Sequence, residues 1–307
     1  MQTINNILDE LKIPYTRLGK CLKDTFDDIV PLPLAKEGSL VFCNKPGKGL
    51  FKTIDAVPNI IMLIEKKWGE ENFDILSKGN ATILLIENPR LVVAKILRLT
   101  HPSEDFWEKG IHPTAIIHPD AHIDETVSIG PYAIVGRCSI VGNSRIGAFT
   151  FIKDGAIIGK KVTIREHCHI GGCGFGMVRD DSTKKLFRFP HIGRVLLEDE
   201  VELFPYVNVD RGGLGDTTIR KGAKIDHYAH IGHNCSVGEN TIITARTVMC
   251  GGSSIGANSW SGVGAIIKEK VSVGDDVTIG LGAVVLKDVP SGAVVVGNPA
   301  RILKMKE

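Results

Sequence analysis

The chain has 307 residues, which is enough for one large domain or two ordinary ones. Hydrophobic residues make up 43% of it and charged residues 23%, a balance typical of globular proteins that disfavours a disordered chain. Lys and Arg number 37 and Asp and Glu 35, and the resulting net charge of +2 argues against a nucleic-acid platform or a polybasic membrane patch.

The N-terminal residues do not resemble a signal peptide, because they lack a basic start followed by an apolar core. No run approaches the ~20 apolar residues of a membrane span. The seven cysteines are scattered and form no Cys-x-x-Cys pair. We therefore expect reduced thiols in a cytoplasmic protein, without a cysteine-based zinc site.

Residues 1–109 combine helical and strand patterns and predict a small α/β domain. The apolar spacing favours helices at Asn5–Leu11, Asn59–Trp68 and Leu91–Leu99, the last with Pro89 near its start. Two apolar runs, Ser39–Cys43 and Ala81–Ile86, predict buried strands. These elements alone indicate no function.

From residue 110 onward a period of six residues dominates the chain. Apolar residues recur every six positions from Ile117 to Ile170, with a one-residue slip after Val135. Between Val195 and Val285 the same step finds an apolar residue everywhere except at Gly213 and Ser261. Six residues advance an α-helix by about 600°, so a helix would scatter these positions around its axis.

A six-residue period fits one flat face of a three-sided coil. Each face would be a short strand followed by a turn of small residues, and 18 residues would complete a coil stacked at about 4.8 Å. This pattern resembles the hexapeptide-repeat family, which implies a left-handed parallel β-helix. We therefore expect a mainly β protein, with the helix over residues 110–307. The family consists mostly of acyltransferases, usually homotrimers with active sites between neighbouring prisms.

Residues 172–194 break the period and should leave the prism as a loop insertion. Loops on a rigid scaffold often carry function, although a surface loop without a role is the alternative. Near its start lies Gly174-Phe175-Gly176, which alone is too weak a signal for a phosphate-binding loop, because no Gly-Lys-Ser/Thr motif stands beside it.

Three histidines, His227, His230 and His233, cluster beyond the insertion. His227 and His233 each follow an inward residue by two positions, so they should project near corners of adjacent faces. Three interpretations remain open. They could be surface residues without a role, or zinc ligands, which would require convergence that one prism does not easily allow. The third interpretation is a general base, which suits a neutral imidazole.

Gly251 lies 18 residues after His233, so it occupies the equivalent position in the next coil. A glycine there leaves its N–H open to the carbonyl of a thioester, as an oxyanion-binding donor would be. A base and an oxyanion donor one strand apart would suit acyl transfer.

Several motifs recur in the order and spacing of the UDP-3-O-acylglucosamine N-acyltransferase family of lipid A synthesis, which this chain resembles. They are Gly174-Phe175-Gly176, Phe189-Pro190-His191-Ile192-Gly193-Arg194-Val195, Val209-Asp210-Arg211-Gly212 and the segment from Lys224 to Asn234. The resemblance implies His233 as catalytic base, Gly251 as oxyanion donor, and Asp226 and Asn234 in the same site. It implies that the insertion with Phe175 borders the substrate pockets, with His230 nearby, and that Phe42 and Asn44 of the first domain help to hold the nucleotide.

The chain departs from this family at three places. Lys270 stands where the family has a second histidine, and could bind a donor phosphate or stabilise negative charge. Residues 44–47 lack the family's tyrosine, and Phe42 is one place out of register. The family ends in a helical extension associated with acyl carrier protein, and we expect no such extension in this chain. Its last segment, Val296-Gly297-Asn298-Pro299-Ala300-Arg301, resembles coenzyme A-dependent sugar acetyltransferases.

The sequence therefore predicts an N-acyltransferase that acts on a nucleotide-linked amino sugar for lipid A or surface-glycan synthesis. The acyl thioester is expected to be acyl-CoA, with the lipid A enzyme using acyl carrier protein as the alternative. We expect a homotrimer with no metal and no tightly bound cofactor. A prism-type zinc carbonic anhydrase and a non-catalytic nucleotide-sugar-binding protein are the alternatives from other classes.

Overall fold

The computed structural model describes residues 3–19, 23–43, 49–101 and 109–306. The chain divides into two compact units, residues 1–104 and 105–307. Within the described residues, no helix is both long and apolar enough to cross a membrane.

The first unit is a five-stranded sheet with helices. Its strands have the order β1-β5-β4-β3-β2, and all neighbours are parallel except the antiparallel pair β1 and β5. The elements in chain order are α1 (Ile4–Glu10), β1 (Thr16–Leu18), β2 (Asp28–Ile29), a 3-10 helix (Leu32–Leu34), β3 (Ser39–Cys43), α2 (Gly49–Ala56), β4 (Ile61–Glu65), α3 (Lys66–Glu71), α4 (Phe73–Leu76), β5 (Thr82–Ile86) and α5 (Pro89–Thr100).

The sheet of the first unit is buried on both faces, because alternate residues of β3, β4 and β5 enter two different apolar clusters. One cluster includes residues of α1 and α5, and the other includes residues of α2 and α4. The predicted strands at Ser39–Cys43 and Ala81–Ile86 and the predicted helix at Leu91–Leu99 are confirmed.

The prediction of a helix over Asn59–Trp68 is wrong, because Ile61–Glu65 forms β4 and the helix α3 begins only at Lys66. β4 lies between two parallel neighbours, so every residue from Ile61 to Ile64 is buried. A continuous apolar run of this length does not distinguish a central strand from a buried helix.

The second unit is a stack of short strands. Up to the first excursion they are β6 (Ile116–Ile117), β7 (His122–Ile123), β8 (Ser128–Ile129), β9 (Ile134–Val135), β10 (Ser139–Ile140), β11 (Arg145–Ile146), β12 (Phe151–Ile152), β13 (Ile157–Ile158), β14 (Thr163–Ile164) and β15 (His169–Gly172). The excursion carries β16 (Met177–Arg179) and β17 (Leu186–Arg188), which pair as an antiparallel hairpin.

The remaining strands return to the stack. They are β18 (Val195–Leu197), β19 (Glu202–Leu203), β20 (Asn208–Asp210), β21 (Thr217–Ile219), β22 (Lys224–Ile225), β23 (His230–Ile231), β24 (Ser236–Val237), β25 (Ile242–Ile243), β26 (Val248–Met249), β27 (Ser254–Ile255), β28 (Trp260–Ser261), β29 (Ile266–Ile267), β30 (Ser272–Val273), β31 (Thr278–Ile279), β32 (Val284–Val285), β33 (Ala293–Val296) and β34 (Arg301–Met305).

Three sheets form the faces of a prism around one aliphatic core. The first face contains 8 strands from β7 to β30, the second 10 from β8 to β34, and the third 9 from β6 to β32. The stacked strands are parallel, apart from the antiparallel pair of β33 and β34 at the end. The chain passes from the second face to the third and then to the first in every regular coil.

The predicted six-residue register is correct about burial but wrong about strand position between Val195 and Val207. The strands there turn Leu197, Leu203 and Val209 inward, opposite residues of the preceding coil. The predicted inward positions Val195, Val201 and Val207 each lie two residues before the observed ones, and four extra residues are inserted after β20. Since these two shifts add to six, the sequence period continues unbroken through an excursion at residues 211–216.

Five aromatic side chains stack along the corner between the second and third faces. This aromatic ladder consists of Tyr132, Phe149, His167, Tyr206 and Tyr228, with ring centroids 4.8–5.2 Å apart. Each residue has φ between +57° and +64°, a left-handed backbone conformation that residues other than glycine rarely adopt. Aromatic stacking stabilises this corner by about 0.5–1.5 kcal/mol per pair and offsets part of the backbone strain.

Candidate active site

Both excursions leave the prism at the same corner, where the chain passes from the third face to the first. We call it the site corner. Residues 173–194 leave between β15 and β18, and residues 211–216 leave between β20 and β21. The next coil places His233 at this corner, in the turn between β23 and β24. The two excursions therefore converge beside one half-buried histidine.

Two linked hydrogen bonds determine which nitrogen of the neutral His233 ring carries the proton. The backbone N–H of Gly213 donates to Asn234 Oδ1 at 2.9 Å, which identifies that atom as the amide oxygen. His233 Nδ1 lies 3.1 Å from the same oxygen and must donate its proton to it. In the neutral ring the lone pair is therefore on Nε2, as a general base requires.

Gly251 lies directly against the free nitrogen of His233. A Cβ atom added at Gly251 would approach Nε2 most closely and would stand 2.6 Å from Cε1, so only glycine fits. Within the part of the chain that the structure describes, no hydrogen-bond acceptor is assigned to the Gly251 N–H. Its carbonyl, in contrast, accepts from Lys270 N at 3.1 Å. A proton acceptor and an open N–H thus lie side by side.

A second imidazole, that of His191, contacts His233 edge to face, with ring centroids 4.9 Å apart and planes at 71°. His191 is only 6% exposed, and its Nδ1 lies 3.0 Å from the Phe189 carbonyl. Gly174 fits against both rings, since a Cβ there would stand 2.9 Å from His191 Nε2 and from His233 Cδ2.

Phe175 and Lys270 also lie at the site corner. Phe175 is 86% exposed at the start of the first excursion. Lys270 is exposed two coils beyond Asn234, and its φ of +61° marks the same turn position. Both side chains are exposed, so both can meet a ligand that extends along the corner.

Asp226 and His227 lie at a different corner, between the second and third faces. His227 Nδ1 is 2.6 Å from Asp226 Oδ1, and the Ala245 N–H donates to Asp226 Oδ2 at 3.1 Å. Burial by itself raises the pKa of the Asp226 carboxyl, but these hydrogen bonds outweigh burial and hold it below its ordinary value. Within one chain the structure does not bring Asp226 to His233.

His230 lies between the two corners, on the third face. Its Nδ1 is 2.9 Å from Asn208 Nδ2, and its Nε2 is 3.8 Å from Asp210 Oδ2. The three histidines therefore project from different places: His227 from the corner between the second and third faces, His230 from the third face, and His233 from the site corner. A zinc site needs converging imidazoles, and these three do not converge within one chain.

The two candidate residues of the first unit have different outcomes. Phe42 is half-buried on β3 and packs against that unit's own apolar cluster. Asn44 lies outside the described residues.

Sequence reasoning missed two residues of this site. Gly213 was only an exception in the apolar register, yet its N–H orients the amide that fixes His233. His191 belonged to a motif but received no role. The signal for Gly213 was the exception itself, because a glycine within a cluster of glycines and charges suggests an excursion.

Comparison with known proteins supports the resemblance. Residues 216–251 match the family model described as bacterial transferase hexapeptide (six repeats). The chain is 31% identical over 197 residues to a UDP-3-O-acylglucosamine N-acyltransferase of Rhodopseudomonas palustris, covering 56% of this chain and 54% of the relative. It is 33% identical over 200 residues to a protein of the same name from Coxiella burnetii, covering 58% and 57%.

Among solved structures, a UDP-N-acetylglucosamine acyltransferase from Bacteroides fragilis superposes with a TM-score of 0.57. The two are 25% identical, over 63% of this chain and 74% of the other. The predicted left-handed parallel β-helix and the resemblance to hexapeptide-repeat acyltransferases are thereby confirmed. The chain spans about half the length of the curated relatives it matches.

Proposed function

We propose that this protein transfers an acyl group from a thioester donor to the amine of a nucleotide-linked amino sugar used for lipid A or surface-glycan synthesis. The observation that carries the proposal is the pairing of His233 Nε2 with the open N–H of Gly251. The similarity to proteins named UDP-3-O-acylglucosamine N-acyltransferase supplies the acceptor class.

The chemistry follows from these two groups. The amine attacks the thioester carbonyl while His233 Nε2 accepts a proton from the nitrogen. The carbonyl oxygen becomes an oxyanion that the Gly251 N–H stabilises. Collapse of the tetrahedral intermediate breaks the C–S bond, and the proton on Nε2 passes to the departing sulfur. The hydrogen bond to Asn234 stabilises the ring in its charged state between the two steps.

The donor is proposed to be acyl-CoA. The site corner continues from Gly251 past Lys270 and Lys287, and Lys287 borders a 360 Å³ cavity that Pro299 and Arg301 also line. This row of cations would attract the phosphates of an anionic donor. Acyl carrier protein is the alternative donor, because its acidic surface would meet the same cations.

Each unit is proposed to contribute separately to binding of the acceptor. In this proposal the first unit binds the nucleotide, and Phe42 takes part. Phe175 and the first excursion border the sugar and acyl groups, with Asn234 and His230 on the prism. The site requires no metal and no tightly bound cofactor.

We propose a homotrimer, because the site corner of one prism offers only half a cleft. The outward residues of the third face are mostly apolar, whereas few of those on the other two faces are. The apolar residues on the third face include Ile116, Ile134, Phe151, Val248, Ile266 and Val284. A neighbouring prism would cover such a row. Asp226 could serve the His233 site only if that neighbour supplied it.

The test is a turnover screen. Purified protein is incubated with UDP-linked amino sugars and either acyl-CoA or 3-hydroxyacyl carrier protein, and the N-acylated sugar is measured by mass spectrometry. Product with acyl-CoA supports the proposal in full, and product only with the carrier protein reverses the choice of donor. Ligand binding without product would identify a non-catalytic nucleotide-sugar-binding protein.

A further inference from the structure

We infer that His191 is a positioning residue, which holds the His233 imidazole in the orientation needed to accept the amine proton. This inference rests on the proposed function and adds a residue to it. It is carried by the burial of His191, its ring contact and the glycines around it.

His191 is the anchor of the first excursion. Across residues 173–194, the buried positions are two glycines, Gly174 and Gly193, and His191. The hairpin strands β16 and β17 are exposed throughout. The excursion therefore buries a single side chain against the site corner of the prism, and this side chain is polar. Burying a polar ring is unfavourable unless its polar atoms are satisfied, and here the Phe189 carbonyl lies 3.0 Å from His191 Nδ1.

The orientation of His191 is determined locally. A carbonyl oxygen only accepts hydrogen bonds, so the contact with Phe189 O places the proton of His191 on Nδ1. The ring also meets the Phe189 ring edge to face, with centroids 6.1 Å apart and planes at 87°. Contacts within the excursion therefore orient the His191 ring independently of its contact with His233.

Glycines make the contact between the two imidazoles possible. A Cβ atom at Gly176 would stand 2.7 Å from His191 Cε1, and one at Gly174 would strike both rings. The segment Gly174-Phe175-Gly176, which is too short to indicate a phosphate-binding loop, is explained instead by this packing. Its glycines let the backbone close around the two rings.

His233 is therefore held from three directions. Asn234 Oδ1 accepts from its Nδ1, the Cα of Gly251 lies against its Nε2 edge, and His191 packs against it at 71°. Removing the His191 ring opens space on that side, and the His233 ring gains freedom to rotate away. A misplacement of about 1 Å can reduce a rate by about 10²-fold.

The experiment is a double-mutant cycle on kcat and KM with His191→Ala, His233→Ala and the double variant. We expect His191→Ala to lower kcat by 10- to 100-fold with KM little changed, and the double variant to be no slower than His233→Ala alone. His122→Ala, at an exposed histidine on the first face, is the matched control and should keep the wild-type kcat.

Crystal structures of the variants give a readout that does not depend on turnover. In His191→Ala the His233 ring should adopt a second orientation, whereas in His122→Ala it should not. Should His191→Ala fail to fold, His191→Asn takes its place, since its amide can still donate to Phe189 O while the ring is lost.

The outcomes separate the two proposals. Absence of turnover by the wild type contradicts the proposed function, and the crystal structures then decide the role of His191 alone. Losses that add in the double variant, or a His233 ring unmoved in His191→Ala, would overturn the positioning role.

Discussion

Replacing Gly251 with alanine should slow the proposed acyl transfer without removing any hydrogen-bonding group. The new methyl carbon would stand 2.6 Å from His233 Cε1 and 3.0 Å from Cδ2. Carbon atoms in contact are ordinarily about 3.5–4.0 Å apart, so the imidazole must withdraw by about 1 Å. The Gly251 N–H itself is retained, and so the change tests the position of the base.

A displacement of this size should lower kcat by about 10²-fold, equivalent to about 2.7 kcal/mol in the barrier. The loss could approach the 10⁴-fold limit typical of a missing general base if the ring leaves Asn234 altogether. The assay is steady-state N-acyl transfer at saturating donor, with the melting temperature measured in parallel.

Gly142→Ala provides the matched control. A Cβ there would stand 2.9 Å from Thr126 Oγ1, a milder crowding at a corner other than that of His233. This variant should lower stability while keeping the wild-type kcat. A Gly251→Ala enzyme that turns over within twofold of the wild type would refute the placement of His233 Nε2 as the base.

Two further predictions concern stability. Tyr206 stacks on His167 and Tyr228, so Tyr206→Ala should lower the free energy of unfolding by about 1–3 kcal/mol in urea denaturation, and Tyr206→Gly should recover about 1 kcal/mol by relieving the left-handed strain; an unchanged stability of the alanine variant would contradict the role of the ladder. The folded-state pKa of Asp226 is lowered, so its contribution is complete above the ordinary value of 3.8 and is lost as the pH falls through the folded-state pKa. The difference in unfolding free energy between the wild type and Asp226→Asn should therefore be largest above pH 4 and shrink toward pH 2, and a difference that grows in acid would show that the sign is wrong.

The prism could be predicted from the sequence because its inward residues repeat with a fixed period. That period indicates which positions are buried, but it tolerates shifts that add to six. For this reason the sequence period does not reveal the excursion at residues 211–216, nor the role of Gly213 within it. Similarly, the sequence of Ile61–Glu65 is compatible with a helix, because a strand buried on both faces shows no alternation of apolar and polar residues.

The site was only partly predictable. His233 and Gly251 lie one coil apart in sequence, so repeat spacing alone brings them together. The contacts of His233 with His191 and Gly213 depend on how two irregular excursions fold back, which no period describes. The separation of Asp226 from His233 follows from the corner each occupies, a distinction that proximity in sequence conceals.

The central claim is that His233 is the general base of an N-acyl transfer, and its most direct test is the kcat of His233→Ala. The half-buried imidazole lies outside the aliphatic core, so the variant should fold as the wild type does. Its kcat should fall by about 10²- to 10⁴-fold, with a much smaller change in KM. A near-normal kcat in His233→Ala, together with loss of activity in Lys270→Ala, would contradict the claim.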